Sequence, residues 1–182
     1  PGAKLYSGFK SLISKYEYGK RIEDGSICDV LASHDVKEGD VFYIPSGRIH
    51  AICSGTLLAE VQQSSDLTYR IFDYNRPGLD GKPRALHTAL ASEALDYKVE
   101  DDYRTHYTRK MNYPVLLAEN RFFTVKLLEV NRAFHRKLYK YDSFVVYMCL
   151  EGSSDIVIRS WKGDEPEIKQ VHLTKGMSCL VP

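Results

Sequence analysis

The sequence predicts a mainly β fold built from two units of similar architecture, with a small helical insertion in the first. Two observations lead to this class: short β-favouring runs separated by turn signals, and a weak internal repeat. The β-favouring runs are residues 41–44, 56–63, 68–74, 122–130, 143–150, 155–161 and 168–173. Short strands at this spacing are typical of sandwiches and barrels.

The internal repeat relates residues 39–45 to residues 176–182. Each copy consists of a glycine, five strand-like residues and a proline, and each follows a turn that contains a lysine. The glycine permits a tight entry into the strand, and the proline ends strand pairing because it has no N–H to donate. The repeat therefore predicts two units of one architecture.

Helical periodicity is confined to the first unit. One helix is predicted within residues 7–33 with Ser7 as its cap, a second short helix from Ser26, and a third within residues 83–95. The side chains predicted to face the core from these helices are Phe9, Leu12, Ile13, Tyr16, Ile27, Val30, Leu31, Leu86, Leu90 and Ala94.

A polar stretch separates the two predicted units. Residues 96–112 are charged and aromatic without a clear period, which is typical of a linker. The predicted domains are therefore residues 1–95 and residues 113–182.

Composition excludes several classes of function. Hydrophobic residues make up 43% of the 182 residues, charged residues make up 27%, and the net charge is +1. This charge gives no electrostatic reason to expect nucleic acid or a membrane surface as a partner. The four cysteines form no C-x-x-C pair, so a zinc finger is not indicated, and a reducing cytoplasm is the expected compartment.

The first copy of the repeat continues into a histidine. Residues 45–50 read PSGRIH, so the stretch from Gly39 fits the pattern G-x5-P-x-G-x2-H. This pattern resembles the second motif of the cupin superfamily, whose histidine points into a small jelly-roll barrel and binds a metal. Neutral imidazole at the start of a strand is a good zinc ligand. A histidine without this motif is more often structural, so the prediction of His50 as a metal ligand depends on the motif.

A closer resemblance follows from neighbouring stretches. They are IPSGRIHA (residues 44–51), EVQQ (60–63), SDLTYR (65–70) and DYNR (73–76). Together they resemble the type I, zinc-dependent mannose-6-phosphate isomerases of the cupin type, nearest to the short bacterial branch. The likeness covers nearly the whole chain.

The resemblance implies that the chain is the C-terminal portion of such an enzyme, with two cupin-like jelly-roll units that are both truncated. Residues 1–95 match the later part of the catalytic cupin domain with its helical insertions. Residues 113–182 match a second, non-catalytic cupin-like domain.

The resemblance also implies an activity, the interconversion of mannose 6-phosphate and fructose 6-phosphate by zinc-assisted proton transfer between C1 and C2. His50 matches one of four zinc ligands, and the other three are expected upstream of Pro1 in an N-terminal segment of the same protein. Arg70 matches the active-site arginine, which can stabilise an oxyanion because guanidinium stays charged. Glu60 matches a pocket glutamate and is a candidate acid or base, and the alternative for it is an ion pair with an arginine such as Arg70.

Weaker assignments complete the predicted site. Lys82 and Arg84 are candidates for contact with the sugar phosphate, and Asp66 is a candidate orienting residue. The remaining histidines are expected to be structural or solvent-facing, and they are His34, His87, His106, His135 and His172.

Two other functions compete with the isomerase. One is a non-catalytic sugar-phosphate-binding cupin module, and the other is an iron-dependent cupin dioxygenase, which requires a His-x-His pair. A Gln-x-His pair and a glutamate upstream of Pro1 distinguish the isomerase from the binding module. By itself, the chain is expected not to isomerise mannose 6-phosphate.

Overall fold

A computed structural model of the chain describes residues 2–65, 67–73, 77–78 and 80–182, with only the backbone of Lys162. Contacts divide the chain into two compact units, Pro1–Arg132 and Ala133–Pro182. The α-helices are α1 (Lys15–Glu23) and α2 (Thr88–Ala94), and a 3₁₀ helix spans Ile27–Val30. The strands are β1 (Lys4–Phe9), β2 (Leu31–Asp35), β3 (His50–Ile52), β4 (Val115–Glu119), β5 (Thr124–Leu127), β6 (Val145–Met148), β7 (Ser153–Lys162), β8 (Glu165–Thr174) and β9 (Ser178–Val181).

Strand β1 is the centre of an antiparallel sheet in the order β2-β1-β3. The predicted helix start at Ser7 is wrong, because Leu5, Ser7 and Phe9 are buried with the period of a strand. Helix α1 begins later, where the Ser14 hydroxyl accepts a hydrogen bond from the Glu17 N–H at 3.1 Å. The side-chain cap, rather than the apolar spacing, marks the start of this helix.

One apolar core stabilises the first unit. It consists of Phe9, Ile13, Tyr18, Ile27, Val30, Leu31 and Ile49. Burial raises the pKa of Tyr18 to about 12, and its hydroxyl donates to the Thr88 carbonyl at 3.2 Å. The predicted burial of Phe9, Ile13, Ile27, Val30 and Leu31 is confirmed, whereas Leu12 and Tyr16 are exposed, contrary to prediction.

Other local predictions in the first unit are wrong. Residues 41–44, 56–63 and 68–73 form no regular strand, because β-favouring residues become a strand only where a neighbouring strand pairs with them. Helix α2 does lie within the predicted range 83–95. It buries Ala91, however, while Leu86, Leu90 and Ala94 remain exposed.

Residues 96–112 pack within the first unit. The Asp96 N–H donates to the Gly47 carbonyl at 2.9 Å, the Tyr103 hydroxyl donates to the Phe9 carbonyl at 2.8 Å, and the Thr105 N–H donates to the Val41 carbonyl at 2.8 Å. The contact boundary at Arg132 therefore differs from the predicted linker, since the β4–β5 pair also belongs to the first unit. The cupin domain limits of 1–95 and 113–182 stay a prediction.

The second unit consists of two antiparallel pairs, β6–β9 and the long hairpin β7–β8. The four strands lie where the sequence predicts them, and their core contains Leu173, Cys179 and Val181. Gly39 and Gly176, the two glycines of the repeat, have almost the same φ, 88° and 87°. Only the second copy forms a strand, since β9 has β6 as its partner.

The mainly β class is confirmed by these elements. In the part of the chain that the structure describes, neither helix has the length and hydropathy that crossing a membrane requires.

Candidate functional site

His50 is positioned by a tight turn that leads into β3. Gly47 has φ of 87°, and a Cβ atom there would lie 2.8 Å from the Ala94 carbonyl oxygen, so the position requires glycine. The Arg48 N–H closes the turn on the Pro45 carbonyl at 3.1 Å. His50 then pairs with Ser7 of β1. The predicted Pro-x-Gly turn, with a histidine at the start of the next strand, is confirmed.

The orientation of the His50 ring leaves one nitrogen available. Its Nδ1 lies 3.0 Å from the Arg48 carbonyl oxygen. A carbonyl can only accept, so Nδ1 carries a proton, and in the neutral ring Nε2 presents its lone pair. Metal-binding histidines commonly have this arrangement, with the second nitrogen fixed by a carbonyl. The His50 side chain is exposed, as an accessible ligand requires.

The Arg48 side chain fixes the same turn from the other side. Its Nη1 donates to the Tyr43 carbonyl at 3.0 Å, and its Nη2 lies 3.7 Å from a Glu100 carboxylate oxygen. The guanidinium also lies 4.9 Å from the centre of the Tyr103 ring, within cation–π range. None of Arg48, Glu100 and Tyr103 is a predicted site residue. Glu100 and Tyr103 lie in the predicted linker, whose charged and aromatic composition was their signal.

Arg70 is half-buried in a segment without regular structure. Its N–H donates to Nδ1 of His87 at 3.2 Å, and its carbonyl accepts from the His87 N–H at 2.7 Å. Its Nη1 donates to the Ala85 carbonyl at 3.4 Å. Both the backbone and the side chain of Arg70 therefore contact the segment that precedes α2.

Glu60 and Lys82 are both exposed. Glu60 and Arg70 are both described, and no ion pair joins these two residues. The alternative assignment of Glu60, to an ion pair with an arginine, stays a prediction, because Arg76 lies outside the described residues. No described hydrogen bond or ion pair connects any two of His50, Glu60 and Arg70. Their convergence on one cavity stays a prediction.

Arg84 forms an ion pair with Asp73. Nε of Arg84 donates to Oδ2 of Asp73 at 2.6 Å, and Nη2 donates to Oδ1. Asp73 is only 6% exposed, and the hydrogen bond to this carboxylate raises the pKa of Arg84. The pair anchors the first residue of the DYNR stretch. The other three residues of this stretch and Asp66 lie outside the described residues, and the phosphate role of Lys82 and Arg84 stays a prediction.

Asp73→Asn is expected to lower the urea midpoint of unfolding, because a buried carboxylate is replaced by an amide that cannot balance the Arg84 charge. The matched control is Lys82→Ala, which removes an exposed side chain nearby and should leave the midpoint unchanged. Equilibrium urea denaturation followed by circular dichroism compares the two. Equal midpoints for Asp73→Asn and the unchanged protein would contradict a stabilising role for the pair.

The described residues do not by themselves form a zinc site. Catalytic zinc requires about three protein ligands and an open position. Among the described residues, no group of three His, Cys, Asp or Glu side chains could hold a metal ion. His50 fits one ligand position through Nε2, and the remaining donors of a zinc site are not found in the described part of the chain.

Two of the other histidines pair with aspartates on the surface. His106 Nε2 lies 2.8 Å from Asp102, and His172 Nδ1 lies 2.8 Å from Asp155, where the contact lowers the pKa of the Asp155 carboxyl. Both histidine side chains are exposed. Their assignment as solvent-facing residues is confirmed.

Comparison with known proteins places this geometry in a family. No protein-family model matches the chain. A mannose-6-phosphate isomerase of Streptococcus mutans is 30% identical over 182 residues, which are 100% of this chain and 54% of that protein. The mannose-6-phosphate isomerase ManA of Bacillus subtilis is 32% identical over 146 residues, which are 79% of this chain and 46% of that protein.

A solved structure gives the same result for the fold. The crystal structure of a mannose 6-phosphate isomerase from Bacillus subtilis matches 100% of this chain and 55% of that chain, with a TM-score of 0.78 and 30% sequence identity. The chain therefore spans about half the length of the relatives and of the solved structure that it matches. The resemblance and the cupin-type fold that it implied are confirmed, since the chain is similar over its full length to about half of a mannose-6-phosphate isomerase.

Proposed function

We propose that the natural protein that contains this sequence is an isomerase that interconverts mannose 6-phosphate and fructose 6-phosphate. The observation that carries the proposal is the likeness to mannose-6-phosphate isomerases. The likeness in fold extends over the whole chain. The His50 turn supports it, because its geometry presents an imidazole nitrogen to solvent from a rigid strand start.

The proposed roles follow from the chemistry of each side chain. Proton transfer between C1 and C2 of a sugar phosphate develops negative charge on oxygen, and the permanently charged Arg70 stabilises it. Glu60 carries the proton as acid or base. Lys82 and Arg84 contact the phosphate. His50 contributes one ligand to zinc, the proposed cofactor, which acts as a Lewis acid when bound.

We further propose that more polypeptide of the same natural protein, including an N-terminal segment that provides the other zinc ligands, covers part of this chain. The chain exposes 13829 Å². Two separate compact units of the sizes of residues 1–132 and 133–182 would together expose about 10,600 Å². The difference is on the order of 3,000 Å² on this chain alone. Covering it would bury about 6,000 Å² over both surfaces, which is the size of a large obligate interface.

An apolar sheet face accounts for part of this excess. Phe144, Val146, Met148 and Leu150 alternate along the β6 region and are exposed, and Leu180 of β9 lies opposite Val146. The other face of the same pair packs in the core of the second unit. An apolar patch of this kind marks a surface that another polypeptide covers.

The cytoplasm is the compartment that we propose. The four cysteines lie far apart in the sequence and form no C-x-x-C pair. A chain with this cysteine usage is suited to a reducing environment.

The test uses the natural protein and a mannose 6-phosphate substrate, with fructose 6-phosphate formation and bound zinc as readouts. Turnover that falls with chelation and returns with zinc is expected. His50→Ala should lower both zinc content and turnover, whereas His135→Ala, at an exposed histidine, should change neither. Residues 1–182 alone should show no turnover.

Two outcomes contradict these proposals. Binding of the sugar phosphate without turnover in the zinc-loaded natural protein identifies a binding module instead of an isomerase. Stoichiometric zinc with robust turnover in residues 1–182 alone shows that no further polypeptide is required.

A further inference from the structure

We infer that His87 is a positioning residue that holds Arg70 in place. The inference rests on the proposed catalytic role of Arg70. Two hydrogen bonds join the same two residues: the Arg70 N–H donates to the His87 ring, and the His87 N–H donates to the Arg70 carbonyl. Both backbone polar groups of Arg70 are thus engaged by one residue.

The ring contact fixes the chemical form of His87. A backbone N–H can only donate, so Nδ1 of His87 accepts and the ring proton is on Nε2. The ring is therefore neutral, since an imidazolium has no lone pair to offer. Tyr69, the neighbour of Arg70, lies with its ring centre 6.1 Å from the His87 ring, so the two rings also pack together.

His87 is itself tied to the core of the first unit. It is the N-cap residue of α2, and its carbonyl accepts from the Ala91 N–H at 2.8 Å. Ala91 is 1% exposed, and the Thr88 carbonyl accepts from the buried Tyr18 hydroxyl. His87 therefore connects Arg70 to a helix that is packed in the core.

Arg70 needs support from outside its own segment, because that segment does not fix its position. Residues 67–73 form no regular structure, so Arg70 has no strand partner among the described residues. An error of about 1 Å in the position of a catalytic group can reduce a rate by roughly 100-fold. The His87 ring therefore affects the rate through the placement of Arg70, without contact with the substrate.

Substitutions at His87 separate the ring contact from the backbone contact. The hydrogen bond from the backbone N–H at position 87 to the Arg70 carbonyl remains with alanine, glutamine or asparagine at that position. Asparagine places its Oδ1 close to the position of Nδ1 and can accept the same hydrogen bond. Glutamine places its acceptor one atom farther out, and alanine has none. His87→Asn is thus the matched control for His87→Ala and His87→Gln.

The experiment measures isomerase kinetics in the natural protein. His87→Ala and His87→Gln are expected to lower kcat by roughly 10- to 100-fold with KM changed less than about threefold, the pattern of a misplaced catalytic group. His87→Asn should stay within about threefold of the unchanged protein. His106→Ala, at an exposed histidine, should match the unchanged protein. Thermal melts of all variants identify any loss of fold.

Hydrogen exchange of the Arg70 amide provides a readout that does not depend on activity. Exchange should be faster in His87→Ala than in His87→Asn by roughly three- to tenfold, the range expected for loss of one hydrogen bond. Equal exchange in these two variants, or equal kcat in His87→Ala and the unchanged protein, would overturn the inference. Faster exchange in a protein that never isomerises the sugar would support the positioning role and refute the proposed function.

Discussion

Arg70→Ala in the natural protein is expected to lower kcat by about 100-fold or more, while zinc content and thermal stability stay unchanged. The magnitude is that of losing one donor to a developing oxyanion. Stability should be unaffected because, among the described residues, the Arg70 guanidinium makes one long hydrogen bond, to the Ala85 carbonyl at 3.4 Å. Steady-state kinetics with mannose 6-phosphate, metal analysis and a thermal melt test the three parts separately.

Arg70→Lys is the matched control. Lysine keeps the positive charge but lacks the planar fork of guanidinium, so it should restore only part of the lost rate. A near-normal kcat with a raised KM in Arg70→Ala would instead show that Arg70 binds the substrate without acting in the chemical step.

Gly8→Ala is expected to lower the free energy of unfolding by about 2–5 kcal/mol, from overpacking and left-handed strain together. Gly8 has φ of 73°, and a Cβ atom there would overlap the Tyr103 ring. The ring has little freedom to move, since Tyr103 is 6% exposed and its hydroxyl donates to the Phe9 carbonyl. Urea denaturation of the natural protein measures the loss.

Gly19→Ala provides the comparison for Gly8→Ala. Gly19 lies within α1, and an added Cβ there meets no atom within 4 Å. Alanine in a helix is more favourable than glycine by roughly 0.5–1 kcal/mol, so this variant should be slightly stabilised. Equal free energies of unfolding for Gly8→Ala and Gly19→Ala would show that the close approach of Tyr103 to β1 does not constrain the fold.

Gly8 also connects stability to the candidate site. Its N–H donates to the Ile49 carbonyl at 2.8 Å, next to His50. A shift of β1 that relieves the overlap with Tyr103 would therefore move the strand partner of His50. We expect Gly8→Ala to weaken zinc binding in the natural protein as well as stability.

The sequence by itself determined the features that depend on short, local patterns. The PSGRIH turn, the histidine at the start of β3, the 3₁₀ helix after Ser26 and the strands of the second unit all follow from residues close together in the chain. The strands of the second unit could be predicted because a turn signal closes each of them. The family could be recognised because its motif residues are also local.

Only the tertiary structure decided which β-favouring segments find partners. Residues 41–44 and 68–73 have the composition of strands but no neighbouring strand. In contrast, residues 4–9 form the central strand of a sheet, although residues 7–9 fall in the range predicted to be helical. A strand's hydrogen bonds lie between segments distant in sequence, so local composition cannot determine pairing. The same reason explains why the contacts of Tyr103 and His87 were not predicted: each hydrogen bond joins residues that are far apart in the chain.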